Sequence, residues 1–297
     1  MSDTSALSPR PVGSASATPE PVHTEQTVCA SCGTALVGAY CHVCGEKTLD
    51  HHDYALGHWL EHTVDAFTHF DLKVPRSLWS LLRRPGVMTA DVLAGRRVAW
   101  AKPLQAFLIA NVIYYAVASW LHLSTFETPL QYHLSSFYGD TATAWSTAKA
   151  ASLGIPAEEY ATRFDALAHA LSKTLVVLFV PVFAAVFALL EVGKKRYALE
   201  HVTVAVHFTT LVLLLLPLPY PIVFAGIVLR LIQGGDDLWT LVTAFLMGVY
   251  GAAFLRRVYG DSRLVSVLKA VIIPFAFYTA LAYLYRPVLF GIITALL

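Results

Sequence analysis

The chain has 297 residues, 56% of them hydrophobic and only 14% charged, with a mean hydropathy of +0.58. An ordinary soluble domain carries about 25% charged residues, so the composition excludes one and points to an all-α polytopic membrane protein. The formal net charge of +1 is uninformative as a total, because in a membrane protein the placement of each Lys and Arg carries the signal.

Residues 1–27, rich in Ser, Thr, Pro and Ala, read as a disordered tail. They hold no apolar run long enough for a signal peptide. The cysteines that follow are therefore expected in a reducing compartment, where CxxC pairs more often hold metal than form disulfides.

Residues 28–47 carry Cys29-x2-Cys32-x8-Cys41-x2-Cys44, and each CxxC is followed by a glycine, Gly33 and Gly45. The glycines allow a tight turn that aims backbone N–H groups at the thiolates. Four thiolates suit tetrahedral Zn2+, and a four-Cys shell is closed and structural, with no position open for water; a disulfide or an iron–sulfur cluster is the weaker alternative. Lys47 is the only Lys or Arg between Cys29 and Asp50, which disfavours nucleic acid and leaves docking of a cytosolic protein, or a folded cap, as the expected role.

Residues 48–102 read as amphipathic cytosolic or interfacial helices lying on the membrane surface. Leu56, Leu60, Val64 and Phe67 recur at helical spacing. Pro75 can open a further helix, and Gly86 and Gly95 stand where helices end. Six histidines cluster here and in the ribbon: His42, His51, His52, His58, His62 and His69. "HWLEH", residues 58–62, matches H-x-x-E-H, with His58 and His62 as zinc ligands and Glu61 as base of a membrane zinc hydrolase. No third ligand stands out downstream, so an interfacial helix with headgroup-level histidines is the simpler reading.

A spanning helix needs ~20 mostly apolar residues, and five windows fit: 103–123, 174–192, 201–218, 238–255 and 264–285. Two shorter apolar pieces, "PYPIVFAGIVLRL" and "RPVLFGIITALL", are re-entrant, interfacial, or extensions of neighbouring helices. An N-terminus on the cytoplasmic side places 16 of the 21 Lys and Arg residues inside, as the positive-inside rule favours. The loop at about 124–173 is then external. Within it, Pro156, Glu158 and Glu159 make a helix start, so the second span is expected to begin well outside the bilayer.

"EVGKKRYALEHVTVAVHF", residues 191–208, joins the second and third spans by a short basic turn. Glu191, Glu200 and His201 should meet near the interface, with Lys194, Lys195 or Arg196 as ion-pair partners, and His207 two turns deeper. Ionisable groups inside a membrane are functional candidates by default, and His207 and Asn111 are the leading ones.

The order CxxCG, YCxxCGE, "HFDLKVPRSLWSLLRRPGVMTADVLAGRR", "KPLQAFLIANVIYY", "YALEHVTVAVHF" and "LRRVYGDSR" resembles a bacterial membrane-protein family of unknown function with an N-terminal zinc ribbon. The resemblance runs from about Cys29 to Lys269 and implies a zinc-bound ribbon and a multispanning helical domain in the inner membrane. It supplies no reaction. Glu200, His201 and His207 fall within its motifs. So do Arg83, Arg84, Arg96 and Arg97, which could grip phospholipid headgroups.

Three expectations follow. The first is a non-enzymatic membrane protein whose ribbon docks a cytosolic partner while the bundle anchors it or senses a small ligand. The second is a transporter with Glu200, His201, His207 and Asn111 along a polar path and a helix broken at 217–221. The third is a membrane zinc hydrolase or a lipid-modifying enzyme.

Overall fold

The computed structural model describes residues 28–48, 72–229 and 235–297. The N-terminal tail and the "HWLEH" stretch lie outside the described residues. Among those described there is no named strand, only two isolated antiparallel bridges, Val28 with Ala35 and Tyr40 with Lys47. All else is helix and loop.

Five segments are long and apolar enough to cross a membrane: Pro103–Leu121, Ala157–Leu190, Ala198–Val228, Asp237–Tyr259 and Arg263–Leu296. The chain is a multi-pass membrane protein. As far as their residues are described, both shorter apolar pieces extend neighbouring helices: residues 219–228 lie in the third segment and residues 286–296 in the fifth. The second segment begins at Ala157 behind Pro156, which opens its helix, well before the apolar window.

In chain order the helices are α1 (Val74–Arg83), α2 (Val87–Leu93), α3 (Pro103–Leu121), α4 (Leu130–Leu134), α5 (Gly139–Leu153), α6 (Ala157–Leu175) and α7 (Phe179–Leu190). They continue as α8 (Ala198–Leu215), α9 (Tyr220–Val228), α10 (Gly235–Tyr259), α11 (Arg263–Ala270), α12 (Ile272–Ala280) and α13 (Arg286–Leu296).

Prolines set the interruptions inside the long segments. A proline has no N–H for the carbonyl four residues back and its ring crowds that carbonyl. Pro181 stands four residues beyond Val177, at the centre of the 3₁₀ turn Val176–Leu178 that separates α6 from α7. Pro274 stands four beyond Ala270, the last residue of α11. Pro287 stands four beyond Tyr283, inside a π turn, Leu281–Tyr285, that links α12 to α13.

The centre of the bundle is α8. Leu199, His201, Thr203 to Leu213 and Leu215 are all buried, and α1, α2, α3, α7 and α10 pack around it. A helix buried on every side has little amphipathic pattern to show. Its two deep threonines return their hydroxyls to their own helix, Thr209 to Ala205 O at 2.8 Å and Thr210 to Val206 O at 2.7 Å, so neither leaves an unpaired polar group in an apolar setting.

The α1–α2 hairpin reaches further than a surface position requires. Leu81, Met88 and Thr89 are fully buried, and Thr89 reaches His207 of α8. Gly86 makes that approach possible: it has φ +87°, and a Cβ there would lie 2.8 Å from Phe254 O in α10. Arg257 of α10 donates to Pro85 O at 2.7 Å.

At the end opposite the cysteine cluster, the segment 122–156 folds back over the bundle. Phe126 is wedged between the rings of Tyr114, Phe179 and Tyr285, with centroids 5.4, 5.6 and 5.7 Å away, and Tyr285 donates to Phe126 O at 3.2 Å.

Candidate functional site

The four cysteines form two near-identical knuckles related by twelve residues. Cys29 N donates to Thr34 O and Gly33 N to Cys29 O; Cys41 N donates to Glu46 O and Gly45 N to Cys41 O. Gly33 and Gly45 share φ +76°, a left-handed conformation that glycine adopts without penalty. The knuckles bring the four sulfurs within 4.8 Å of one another. Cys29 Sγ lies 3.6 Å from Cys44 Sγ, and Cys32 Sγ 3.5 Å from Cys41 Sγ.

These separations are far too long for S–S bonds of about 2.05 Å. They are close to the ~3.8 Å edge of a tetrahedron whose centre lies about 2.3 Å from each sulfur. The four cysteines could therefore hold a metal ion as they stand. Thr34, through its hydroxyl and its backbone, holds the Cys32 thiol down to about 6. The Cys44 thiol, although the backbone N–H of Glu46 pulls it down, is pushed up to about 12 by desolvation and the three neighbouring sulfurs. A cation among the sulfurs removes that conflict by neutralising thiolates that otherwise repel.

The cysteine segment is seated on the bundle through one buried carboxylate. Glu46, 5% exposed, accepts from the backbone N–H of Arg97 at 2.8 Å and of Val98 at 2.9 Å. Arg97 Nε is 3.8 Å from the other carboxylate oxygen, and its Nη2 donates to Lys47 O at 3.4 Å. Arg96 is held by Asp91, with Nε at 3.0 Å. Arg97 thus serves the seat of the cysteine segment, while Arg96 pairs within its own hairpin with Asp91. Arg83 and Arg84 are exposed, with Arg83 over the Trp79 ring at 5.3 Å.

At the same end of the bundle, two carboxylates and two ammonium groups make a four-centre ionic latch. Lys269 Nζ donates to Glu191 Oε1 at 2.7 Å and to Asp261 Oδ2 at 2.8 Å. Lys194 Nζ donates to Asp261 Oδ1 at 2.5 Å and lies 3.0 Å from Glu191 Oε2, an ion-pair distance without hydrogen-bond alignment. Desolvation pushes the Asp261 carboxyl up, but hydrogen bonds from both lysines outweigh it and hold it below the usual carboxylate range. Glu191 is 2% exposed. A buried carboxylate of this kind persists only with such partners.

Beside the latch, Tyr259 joins the groups singled out in the sequence. Lys194 and Arg196 lie over its ring at 5.3 and 5.7 Å, and its hydroxyl is 3.3 Å from His201 Nδ1. Glu200 pairs with Arg196 at 3.1 Å and accepts from Tyr197 N at 2.9 Å. His207 Nδ1 is 3.0 Å from Thr89 Oγ1, and its Nε2 has no partner among the described residues. Asn111 donates to Lys173 O at 2.8 Å, toward the far end. Glu200, His201, His207 and Asn111 thus have separate partners, and among the described residues no hydrogen bond joins any two of them.

The sequence reading missed Asp261, Lys269, Tyr259 and Glu46. The first three lie within or just beyond "LRRVYGDSR", and Glu46 ends the second CxxCG knuckle. The available signal was the presence of charged and aromatic groups at the ends of apolar segments.

A family model described as "Protein of unknown function (DUF3667)" matches residues 71–115, the stretch that forms the α1–α2 hairpin and the first two thirds of α3. No curated protein and no solved structure matches the chain.

Proposed function

We propose that this chain is a non-enzymatic protein of the bacterial inner membrane whose zinc-bound ribbon docks a cytosolic protein. The observation that carries the reading is the ribbon's surface. Glu46 fixes one side of it to residues 97 and 98, while Val28, Tyr40 and Val43 are exposed and Val37 is 90% exposed. So small a ribbon has little apolar surface to spare, and an exposed apolar group on a rigid, metal-closed scaffold suits a protein partner.

Cys29, Cys32, Cys41 and Cys44 would hold the zinc, which supplies folding free energy to the ribbon. A four-thiolate shell leaves no coordination position for a substrate, which favours a structural role over hydrolysis. The cytosolic placement is supported by the excess of Lys and Arg on the ribbon's side of the bundle.

In-cell cross-linking of the full chain tests this. Val37→Asp, which leaves all four cysteines in place, and the double change Cys29→Ser with Cys41→Ser should both lose the ribbon's cross-linked partner. An unchanged set of cross-links in both variants would rule out the docking role.

A further inference from the structure

At the end opposite the ribbon, a cavity of about 530 Å³ opens between the 122–132 segment, α9, the start of α10, and the π turn with α13. Its size falls in the range of small-molecule sites. Three buried polar atoms, on three elements of its lining, have no hydrogen-bond partner among the described residues: Thr128 Oγ1, Trp239 Nε1 and Arg286 Nε. Thr128 is 2% exposed. Buried polar groups are almost always paired, and an arginine within a spanning segment marks a functional position by default.

The remaining lining gives the charge and shape. Glu127 shares the cavity wall with Arg286 without pairing with it; its carboxylate lies 2.9 Å from His169 Nδ1, an ion pair only when that ring is protonated. Among the described residues no carboxylate forms an ion pair with Arg286. All three unpaired atoms can donate, so the complementary group is an acceptor with negative charge. Val223, Phe224 and Ile227 of α9 supply an apolar part of the lining. Phe224 and Ile227 are also exposed on the outside of the bundle, so this wall runs into the surface that faces lipid.

Two backbone features place the polar side of the cavity. His122, the one non-glycine among the described residues with positive φ, at +55°, ends α3 and lines it. Such residues concentrate at binding sites, where surrounding structure holds the strain. The π turn Leu281–Tyr285 inserts its extra backbone immediately before Arg286, and π turns recur at functional sites for the same reason.

We propose that this cavity binds an anionic amphiphile, its phosphate or carboxylate headgroup against Arg286, Trp239 and Thr128 and its alkyl chain along α9. The site is separate from the ribbon and does not depend on its docking role.

Saturable binding of radiolabelled dodecyl phosphate to the full chain in phosphatidylcholine nanodiscs, with empty nanodiscs subtracted, tests the proposal. Wild-type protein should bind it saturably, Arg286→Gln should weaken binding about tenfold or more, and Trp239→Phe, which removes the N–H and keeps the ring, several-fold. Inorganic phosphate should compete poorly, because it has no chain for the α9 wall. Competition by inorganic phosphate as strong as by unlabelled dodecyl phosphate would show a site for a soluble anion and overturn the amphiphile. Should Arg286→Gln fail to fold, Trp239→Phe and Thr128→Val decide. Wild-type binding in both would overturn the proposal and leave the three atoms to ordered water.

Discussion

Thr89 of α2 and His207 of α8 meet inside the bundle, Oγ1 to Nδ1 at 3.0 Å, across 118 residues of chain. His207 is fully buried and its Nε2 has no partner, so Thr89 provides its one hydrogen bond among the described residues. Thr89→Val keeps the shape and removes that bond. It should destabilise the protein by ~1–3 kcal/mol, read as a lower unfolding temperature in detergent, whereas Thr89→Ser should stay close to wild type.

Gly86 is constrained twice, by φ +87° and by Phe254 O at 2.8 Å from where a Cβ would stand. Gly154 has φ +65° but open space around it. Gly154→Ala should therefore cost only the ~1–2 kcal/mol of the left-handed backbone, while Gly86→Ala should cost more and loosen the α1–α2 hairpin. Unfolding temperatures of the two variants, measured side by side, check the order.

The ionic latch predicts a penalty for removing a single partner. Glu191→Gln leaves Lys269 and Lys194 with less compensation and should cost ~3–5 kcal/mol, toward the low end because both lysines reach solvent. Asp261 adds a pH dependence. Its folded carboxyl lies below the usual value, so its contribution is fully present above the unfolded pKa of about 3.9 and is lost as pH falls through the lower folded value. An Asp261→Asn variant should show less of this acid loss than wild type.

At the far end, His133 is fully buried. Burial first, and then the Arg286 charge, lower its pKa to about 4 against the pull of its bond to Thr128 O; Tyr138 Oη is 2.5 Å from its Nδ1. The folded histidine is neutral, so between pH 6.5 and about 4 the unfolded chain takes up a proton that the folded one does not. Stability should fall across that window, by at most ~3 kcal/mol. The protection factors of residues 122–156, corrected for the intrinsic slowing of exchange in acid, should fall from pH 7 to pH 4.5 in wild type, and much less in His133→Phe.

The five spans were legible because apolar length is a local property of the sequence. The helix starting at Pro156 and the pairing of Glu191 with Lys194 and of Glu200 with Arg196 were local too. What stayed hidden joins distant residues: Thr89 to His207, Lys269 to Glu191, Glu46 to residues 97 and 98. Periodicity shows that α1 has an apolar face, but not that the face meets α8. Because α8 is buried all round, its own pattern could not name its neighbours either. The far-end cavity is built from elements far apart in the chain and left no local trace, although Arg286 was visible as a lone charge beside an apolar piece.

The ribbon's seat is open to a direct perturbation. Glu46→Ala removes the acceptor for two backbone N–H groups while sparing all four cysteines. It should leave metal content unchanged and increase hydrogen exchange at residues 97 and 98.

The central claim is that the four cysteines form a closed structural metal site. Elemental analysis of the purified full chain tests it most directly. The account predicts one zinc per chain in wild type and none in the double variant Cys29→Ser with Cys41→Ser. Zinc retained in that variant, or a wild-type chain that carries no zinc, would contradict it.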